Sequence, residues 1–154
     1  MPKIDIAGAA LKTTTGYPAP FRSRVAGRER KVLGDLAGLT QFGVNLTRLK
    51  PGAASALRHW HENEDELVYV LEGELTLIED QGETLLRPGD AAGFKAGVPN
   101  GHHLLNKSSR DALYLEMGTR AEHERAHYPD DDLAYTRDSN GFAYTHKAGE
   151  PYTE

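Results

Sequence analysis

Apolar and polar residues alternate along the middle of the chain with a period of two, which is the period of side chains on a β-strand. Between positions 39 and 49, apolar residues at 42, 44 and 46 share one face, and polar residues at 41, 45 and 47 share the other. This pattern predicts a half-buried strand that ends at Pro51-Gly52. Residues 67–71 and 75–78 are apolar on both faces, so we expect both of these strands to be covered on both sides.

Turn-forming residues divide the following part of the chain into short strands. Asp80-Gln81-Gly82 predicts a hairpin that leads into residues 83–87, and a Pro-Gly-Asp turn precedes a strand at 91–95. Asn100-Gly101 predicts a tight turn, and residues 111–117 form one more strand. Short strands at this spacing are typical of a β-barrel, which we place at residues 39–119.

The segments on either side of the barrel differ from it. Residues 1–38 show no sustained period, and their prolines favour extended backbone, so we predict an N-terminal arm. The arm carries a net charge of about +4 over residues 22–31, whereas the polar C-terminal extension, 120–154, contains Asp130-Asp131-Asp132. Because these charges are opposite, we expect the arm and the extension to pack together. A last short strand is predicted at 142–146.

Composition excludes several classes of protein. The 154 residues are the length of one domain and include no cysteine, which excludes disulfides, thiolate metal ligands and cysteine nucleophiles. A net charge of −5 gives no support to nucleic-acid binding, and no apolar run approaches the ~20 residues needed to cross a membrane. Without a signal-peptide pattern, the expected location is cytoplasmic.

Apolar residues on both faces of 67–71 also bear on the oligomeric state. In a chain this short, the outer face of that strand can be covered by the N-terminal arm or by a second copy of the protein. We therefore expect a homodimer.

A group of candidate metal ligands begins at His59. His59 and His61 are separated by one residue, so on a strand both rings point the same way and can contact one ion. Glu66 follows after a short polar loop and can offer a carboxylate oxygen from the next strand. The ligands of such a site are nitrogen and oxygen atoms only.

This spacing resembles the first motif of the cupin superfamily, in which a glycine precedes His-x-His and is followed by a glutamate and a second glycine. Four residues separate His61 from Glu66, and six residues separate Glu66 from Gly73. Six residues, rather than the five of the motif, separate Gly52 from His59, which lengthens a loop and leaves the ligand spacing unchanged.

The second cupin motif is matched in part. Gly89 is followed after five residues by Lys95-Ala96-Gly97, with lysine where the motif has proline, and Asn100 stands where it has histidine. His102 and Asn106 satisfy the final spacing if two residues are inserted near Asn100. His102 and His103 are the alternatives for the fourth ligand, and the motif favours His102.

The resemblance implies an all-β double-stranded β-helix, the cupin jelly-roll barrel, with the arm and extension added to it. It implies one divalent ion, of Fe, Mn, Ni, Co or Zn, held by His59, His61, Glu66 and His102. By analogy the protein is a metal-dependent enzyme acting on a small polar metabolite, and isomerisation, dioxygenation and decarboxylation stay open. The alternative is a non-catalytic barrel that binds a small ligand.

Other candidate residues follow from the face that each occupies. If the polar face of residues 39–49 points into the barrel, Gln41 and Asn45 offer amide groups to a substrate, and Asn106 is expected to contact it as well. The catalytic residues are not identified by the sequence. His123-Glu124-Arg125-Ala126-His127 matches the His-Glu-x-x-His pattern of metalloproteases, but a segment that is charged all round and stopped by Pro129 does not favour the helix which that pattern needs.

Overall fold

A computed structural model describes residues 2–153 of the chain. The described residues form a short 3₁₀ helix at Ala19–Val25, one turn of α-helix, α1, at Leu33–Leu36, and twelve β-strands. In chain order, the strands are β1 (Arg28–Val32), β2 (Phe42–Leu49), β3 (Trp60–His61), β4 (Glu66–Glu72), β5 (Leu75–Glu79), β6 (Gly82–Leu86), β7 (Ala91–Phe94), β8 (His103–Leu105), β9 (Ala112–Thr119), β10 (Glu124–His127), β11 (Ala134–Asp138) and β12 (Gly141–Thr145). None of the helices in this part of the chain is long and apolar enough to span a membrane.

The strands are arranged in three antiparallel sheets, and the predicted all-β fold is confirmed. Five strands pair in the order β1-β2-β9-β4-β7, three in the order β6-β5-β8, and four in the order β12-β11-β10-β3. The predicted strands at 39–49, 67–71, 75–78, 83–87, 91–95 and 111–117 correspond to β2, β4, β5, β6, β7 and β9. The hairpin at Asp80-Gln81-Gly82 is also confirmed, since Glu79 pairs with Gly82 at its end.

The polar face of β2 points into the barrel, which decides between the two orientations that its alternation allowed. Thr47 and Leu49 are fully buried, whereas Phe42 on the opposite face is 43% exposed. Leu49 belongs to the main core, which also contains Val70 of β4, Leu75 of β5 and Tyr114 of β9. The five-stranded and three-stranded sheets therefore pack on each other through this core.

Gly73 makes the change of sheet between β4 and β5 possible. Its φ of +74° is a conformation that other residues rarely adopt, and a Cβ at this position would lie 2.6 Å from the carbonyl oxygen of Asp111. The Glu72-Gly73-Glu74 turn thus brings the chain against the start of β9, and any side chain at its centre would collide with backbone.

The N-terminal arm and the C-terminal extension pack together within one chain, as expected from their charges. Arg24 forms an ion pair with Asp131 at 2.5 Å. Most of the contact is aromatic, however: Tyr17 packs edge to face against Tyr128 and Tyr144, and these rings belong to a second buried cluster with Leu133 and others. Burial of aromatic rings joins the two segments more extensively than charge does.

Two features of the extensions differ from the predictions. The arm is not extended throughout, because residues 28–32 form β1 and pair with β2 at the edge of the five-stranded sheet. Residues 124–127 form strand β10 rather than a polar connector, and this strand pairs with β3. The predicted absence of a His-Glu-x-x-His helix is confirmed. The division of the chain at 39 and 119 stays a prediction.

The predicted tight turn at Asn100-Gly101 is displaced toward the N-terminus. The turn lies at Lys95–Val98, where Gly97 has a φ of +82°, and Gly101 has no positive φ. Gly101 is required by close packing instead, since a Cβ there would lie 2.8 Å from Pro129 and 2.9 Å from Arg58. Sequence reasoning assigned this glycine to a turn because a close approach leaves no signal in the local pattern.

The outer face of the five-stranded sheet is apolar and exposed in the single chain. On β4, Leu67, Tyr69 and Leu71 are each about 40% exposed. They pair across the sheet with β9, where Leu115 and Met117 are on the same face. The arm, the first of the two expected covers, does not bury this face.

Candidate metal centre

Three strand segments bring the predicted ligands together. His59 and His102 form an isolated β-bridge and exchange backbone hydrogen bonds of 3.1 and 2.9 Å. His61 lies in the short strand β3, and Glu66 is the first residue of β4. Because His59 and His61 alternate with Trp60 along extended backbone, both rings project to the same side.

The Glu66 carboxylate is at the centre of this group. Its Oε2 lies 2.5 Å from Nε2 of His102, and its Oε1 lies 2.9 Å from Nε2 of His61 and 3.6 Å from Nε2 of His59. The ligand atoms of His59, His61 and Glu66 are all within 4.8 Å of one another. Three imidazole nitrogens thus converge on one carboxylate.

The tautomers of these rings can be inferred from their second nitrogen. Nδ1 of His59 lies 2.7 Å from the Leu57 carbonyl oxygen and donates a hydrogen bond to it, so a proton lost from the ring comes from Nε2, the nitrogen that faces Glu66. That loss would free the Nε2 lone pair for a metal ion. The His102 ring stacks on Phe94, with centroids 3.6 Å apart and planes 1° from parallel. Both rings are thereby held in position before any ligand binds.

Burial and the histidines act in opposite directions on Glu66. Burial by itself would raise the pKa of this carboxyl, but hydrogen bonds from His102, His59 and His61 together hold the pKa well below its usual value. Burial lowers the pKa of His102, and it would also lower that of His61, but the hydrogen bond and charge of Glu66 raise the pKa of His61 overall. The centre thus contains an ionised carboxylate beside a neutral His102.

Glu124 is a further residue at this centre that sequence reasoning missed. It is 2% exposed, and its Oε1 accepts hydrogen bonds from the backbone N–H groups of Glu62, Asn63 and Arg125. Its Oε2 has no hydrogen-bond partner among the described residues and lies 3.9 Å from Nδ1 of His61. The strand alternation of β10 points Glu124 inward, but the sequence pattern around it matched a helix motif and concealed this.

Of the two adjacent histidines, only His102 contacts Glu66. Nδ1 of His103 lies 2.8 Å from the carbonyl oxygen of Ala56. The two side chains leave the strand on opposite faces, as alternation requires.

The residues expected to contact substrate occupy different environments. Asn45 lines the cavity beside the centre and donates a hydrogen bond of 2.8 Å to Glu116. Gln41 is exposed and is not among the residues lining that cavity. Asn106 is fully buried, and its amide donates to the carbonyl oxygens of Leu49 and Arg110 at 2.8 and 2.7 Å.

The centre opens into a cavity of about 390 Å³, which is within the usual size range of small-molecule sites. Its wall is formed by the inner face of the five-stranded sheet and by the aromatic cluster of the two extensions. A smaller cavity of about 260 Å³ also borders His61, Glu66 and His102, and Trp60 lines it.

The donor set fits a divalent ion. The ligand atoms of His59, His61 and Glu66 lie close enough together to hold one ion, and nitrogen and oxygen donors without a thiolate suit Fe, Mn, Ni, Co or Zn. Oε1 of Glu66 already faces two of the three rings, an arrangement that a bound cation would stabilise by replacing the hydrogen bonds with coordination.

Comparison with known proteins agrees with this geometry. The cupin domain family model matches residues 45–118. A crystal structure of a sugar phosphate isomerase of the cupin superfamily from Silicibacter pomeroyi is 46% identical, covers 98% of this chain and 96% of its own, and superposes with a TM-score of 0.94. The chain belongs to the cupin superfamily.

Two further structures extend the comparison of this cupin. A protein from Acidithiobacillus ferrooxidans, provisionally named a sugar phosphate isomerase, is 29% identical over 82% of this chain and 81% of its own, with a TM-score of 0.74. The polyketide cyclase RemF from Streptomyces resistomycificus shares the fold at 20% identity, over 77% of this chain and 79% of its own, with a TM-score of 0.64. No curated protein matches the sequence significantly.

The position of Asn106 leads to a test of its role. We expect Asn106→Ala to lower the free energy of unfolding by about 2–4 kcal/mol, because it removes a fully buried amide that donates to the carbonyl oxygens of Leu49 and Arg110. Asn45→Ala is the control and should cost less, because Asn45 bonds to one side chain at the edge of a cavity. Urea denaturation of both variants measures the difference, and an Asn106→Ala variant of unchanged stability would contradict a structural role.

Proposed function

We propose that this cupin is a metal-dependent enzyme that isomerises a phosphorylated sugar. The observation that supports this most is the convergence of His59, His61 and His102 on the Glu66 carboxylate at the edge of a cavity of substrate size. The likeness to the Silicibacter pomeroyi isomerase over nearly the whole of both chains favours isomerisation over dioxygenation and decarboxylation.

The proposed ligands are His59, His61, Glu66 and His102, and the group they hold is one divalent ion. Such an ion would polarise a carbonyl or hydroxyl oxygen of the substrate. Glu124 would act on the centre indirectly: its carboxylate faces the far nitrogen of the His61 ring, where an acceptor fixes the ring's orientation and raises its basicity.

Isomerisation of a sugar through an enediol moves a proton from one carbon atom to its neighbour, and a group in the cavity must carry that proton. Two carboxylates besides Glu66, those of Glu64 and Glu116, line the cavity. Glu64 is held by an ion pair of 2.6 Å with Arg137, and Glu116 by the amide of Asn45. Both are candidates for this role.

Metal analysis tests the proposed ligand set. We expect protein purified without a histidine tag to contain about one divalent ion per chain, and a His61→Ala/Glu66→Ala variant to lose it. The temperature of thermal unfolding should rise when Fe, Mn, Ni, Co or Zn is added to metal-free protein. At a free metal concentration of 100 times the dissociation constant, the free energy of unfolding should increase by about 2.7 kcal/mol.

The matched control is His103→Ala. This histidine is adjacent in sequence to His102 but faces Ala56, so the variant should keep its ion. A wild-type protein without ion that shows no thermal shift with any of the five metals would exclude the metal-dependent enzyme.

Turnover of aldose and ketose phosphates tests the reaction. We expect metal-loaded protein to interconvert one such pair in D₂O, with deuterium entering the product when the carried proton exchanges with solvent. Proton NMR measures both events. The His61→Ala/Glu66→Ala variant should be inactive.

The alternative is a non-catalytic barrel that holds a small ligand. It predicts that a sugar phosphate stabilises the metal-loaded protein against unfolding and is recovered unchanged after long incubation. If this result is obtained with a full panel of pentose and hexose phosphates, the enzyme proposal is rejected in favour of the non-catalytic ligand-binding barrel.

We also propose that the protein is a homodimer that pairs through the outer face of the five-stranded sheet. Leu67 and Tyr69 are about 40% exposed at the centre of this face, and contiguous apolar patches of this kind mark contact surfaces. Leu67→Glu should shift the mass measured by light scattering from dimer to monomer. Val98→Glu, at an exposed apolar residue elsewhere, is the control, and a Leu67→Glu variant with the mass of the wild type would contradict the proposal. A cytoplasmic location stays a prediction.

A further inference from the structure

We propose that Arg28 and Arg30 form a binding site for the phosphate group of the substrate, at a position in the cavity away from the metal centre. This inference rests on the proposed function for the identity of its ligand. Its physical basis, two arginine side chains without an anionic partner inside a cavity, is independent of that function.

Strand β1 directs both arginines into the cavity. They are two residues apart on the strand, so their side chains share a face. Arg28 pairs with Leu49 and Arg30 with Thr47 across the sheet, and both partners point into the barrel. Both arginines line the cavity that also contains His59 and Glu66.

Neither arginine has the partner that a partly buried cation requires. Within residues 2–153, no carboxylate forms an ion pair with Arg28 or Arg30, and the buried Nε of Arg30 has no hydrogen-bond partner. Arg28 is only 9% exposed, and its Nη1 donates a hydrogen bond of 2.6 Å to the carbonyl oxygen of Ser55. A buried donor without an acceptor is costly, so this arrangement favours an anionic ligand.

The other arginines of the same cavity provide a contrast. Arg120 pairs with Asp35 at 2.5 Å, and Arg137 pairs with Glu64 at 2.6 Å. These two charges are neutralised within the chain. Arg28 and Arg30 are therefore the pair of cavity arginines that remains to bind an anion.

The two unneutralised charges also oppose each other. Burial, and then the positive charge of Arg30, lower the pKa of Arg28, and the charge of Glu116, which lines the same cavity without pairing with Arg28, offsets them in part. An arginine nevertheless stays protonated at neutral pH, so the repulsion is relieved by an anion rather than by loss of a proton. Guanidinium groups bind phosphate oxygens through paired N–H donors, which makes a phosphate monoester a well-matched ligand.

The sheet sets the distance between this site and the metal centre. Strand β1 is separated from β4 by β2 and β9, which is about 14 Å across three strand spacings. Arg30 is in register with Val70 through Thr47 and Tyr114, and Glu66 lies four residues from Val70, about 13 Å along β4. The backbones of Arg30 and Glu66 are therefore about 20 Å apart. Arg28, Arg30 and Glu66 all line the same cavity. In the proposed complex the sugar phosphate spans this cavity, with its carbonyl at the metal centre and its phosphate at β1.

Titration of metal-free protein with inorganic phosphate tests the site apart from catalysis. We expect isothermal titration calorimetry to detect binding by the wild type, and Arg30→Met to weaken it at least about 10-fold, because charged hydrogen bonds are lost. Arg120→Met is the matched control and should bind as the wild type does, since the charge of Arg120 is already paired with Asp35. Circular dichroism shows whether each variant is folded.

Because Arg28 bonds to the backbone and is nearly buried, Arg28→Lys is used in addition to Arg30→Met to retain the charge without the guanidinium. The inference would be overturned if the wild type does not bind phosphate, or if folded Arg30→Met binds phosphate as tightly as the wild type does. If phosphate binding depends on Arg30 but the protein has no isomerase activity, the phosphate site is supported and the proposed reaction is excluded. In an active enzyme, Arg30→Met should raise KM for the sugar phosphate more than it lowers kcat.

Discussion

The arrangement of the centre depends on the buried carboxylate of Glu66, which three imidazole nitrogens face at 2.5 to 3.6 Å. A buried negative charge is costly unless cations or hydrogen-bond donors surround it. The chain meets this requirement with three histidine rings, and each ring has a different neighbour on its other side. His59 donates a hydrogen bond to the Leu57 carbonyl, and His102 stacks on Phe94. Nδ1 of His61 faces the carboxylate of Glu124. The histidine nitrogens that surround the Glu66 carboxylate are also, together with that carboxylate, the donors that suit a divalent cation.

The extensions outside the common barrel shape the space in front of this carboxylate. The C-terminal extension contributes β10, which pairs with β3 behind His61 and Trp60, and the N-terminal arm places Tyr17 between Tyr128 and Tyr144. Strand β1 adds Arg28 and Arg30 to the far end of the same cavity. The family model covers residues 45–118 only, so the aromatic wall and the arginine pair come from parts of the chain that lie beyond it.

Local pattern was sufficient for most strands because alternation reflects which side of a sheet each residue meets, and that signal is present in every short window. It was insufficient where the decisive contact is distant in sequence. Gly101 is a glycine because Pro129 and Arg58 approach it, and Glu124 is buried because backbone N–H groups of the 62–65 loop bond to it. Asn106 fills its place by bonding two carbonyls, one of them 57 residues away. The contacts of Gly101 and Glu124 leave no trace in the spacing of neighbouring residues, and the spacing that singles out Asn106 does not reveal which groups it bonds.

The sequence by itself determined the strand pattern, the cupin motif with His59, His61 and Glu66, and the restriction to nitrogen and oxygen ligands, since each of these depends on residue type and short spacing. Only the tertiary structure decided which of two adjacent histidines meets Glu66, which face of β2 points inward, and that Arg28 and Arg30 share a cavity with a carboxylate on a strand three places away. These relations depend on how strands far apart in sequence pair in the sheet, and strand pairing is fixed by packing of the whole barrel rather than by any local stretch of it.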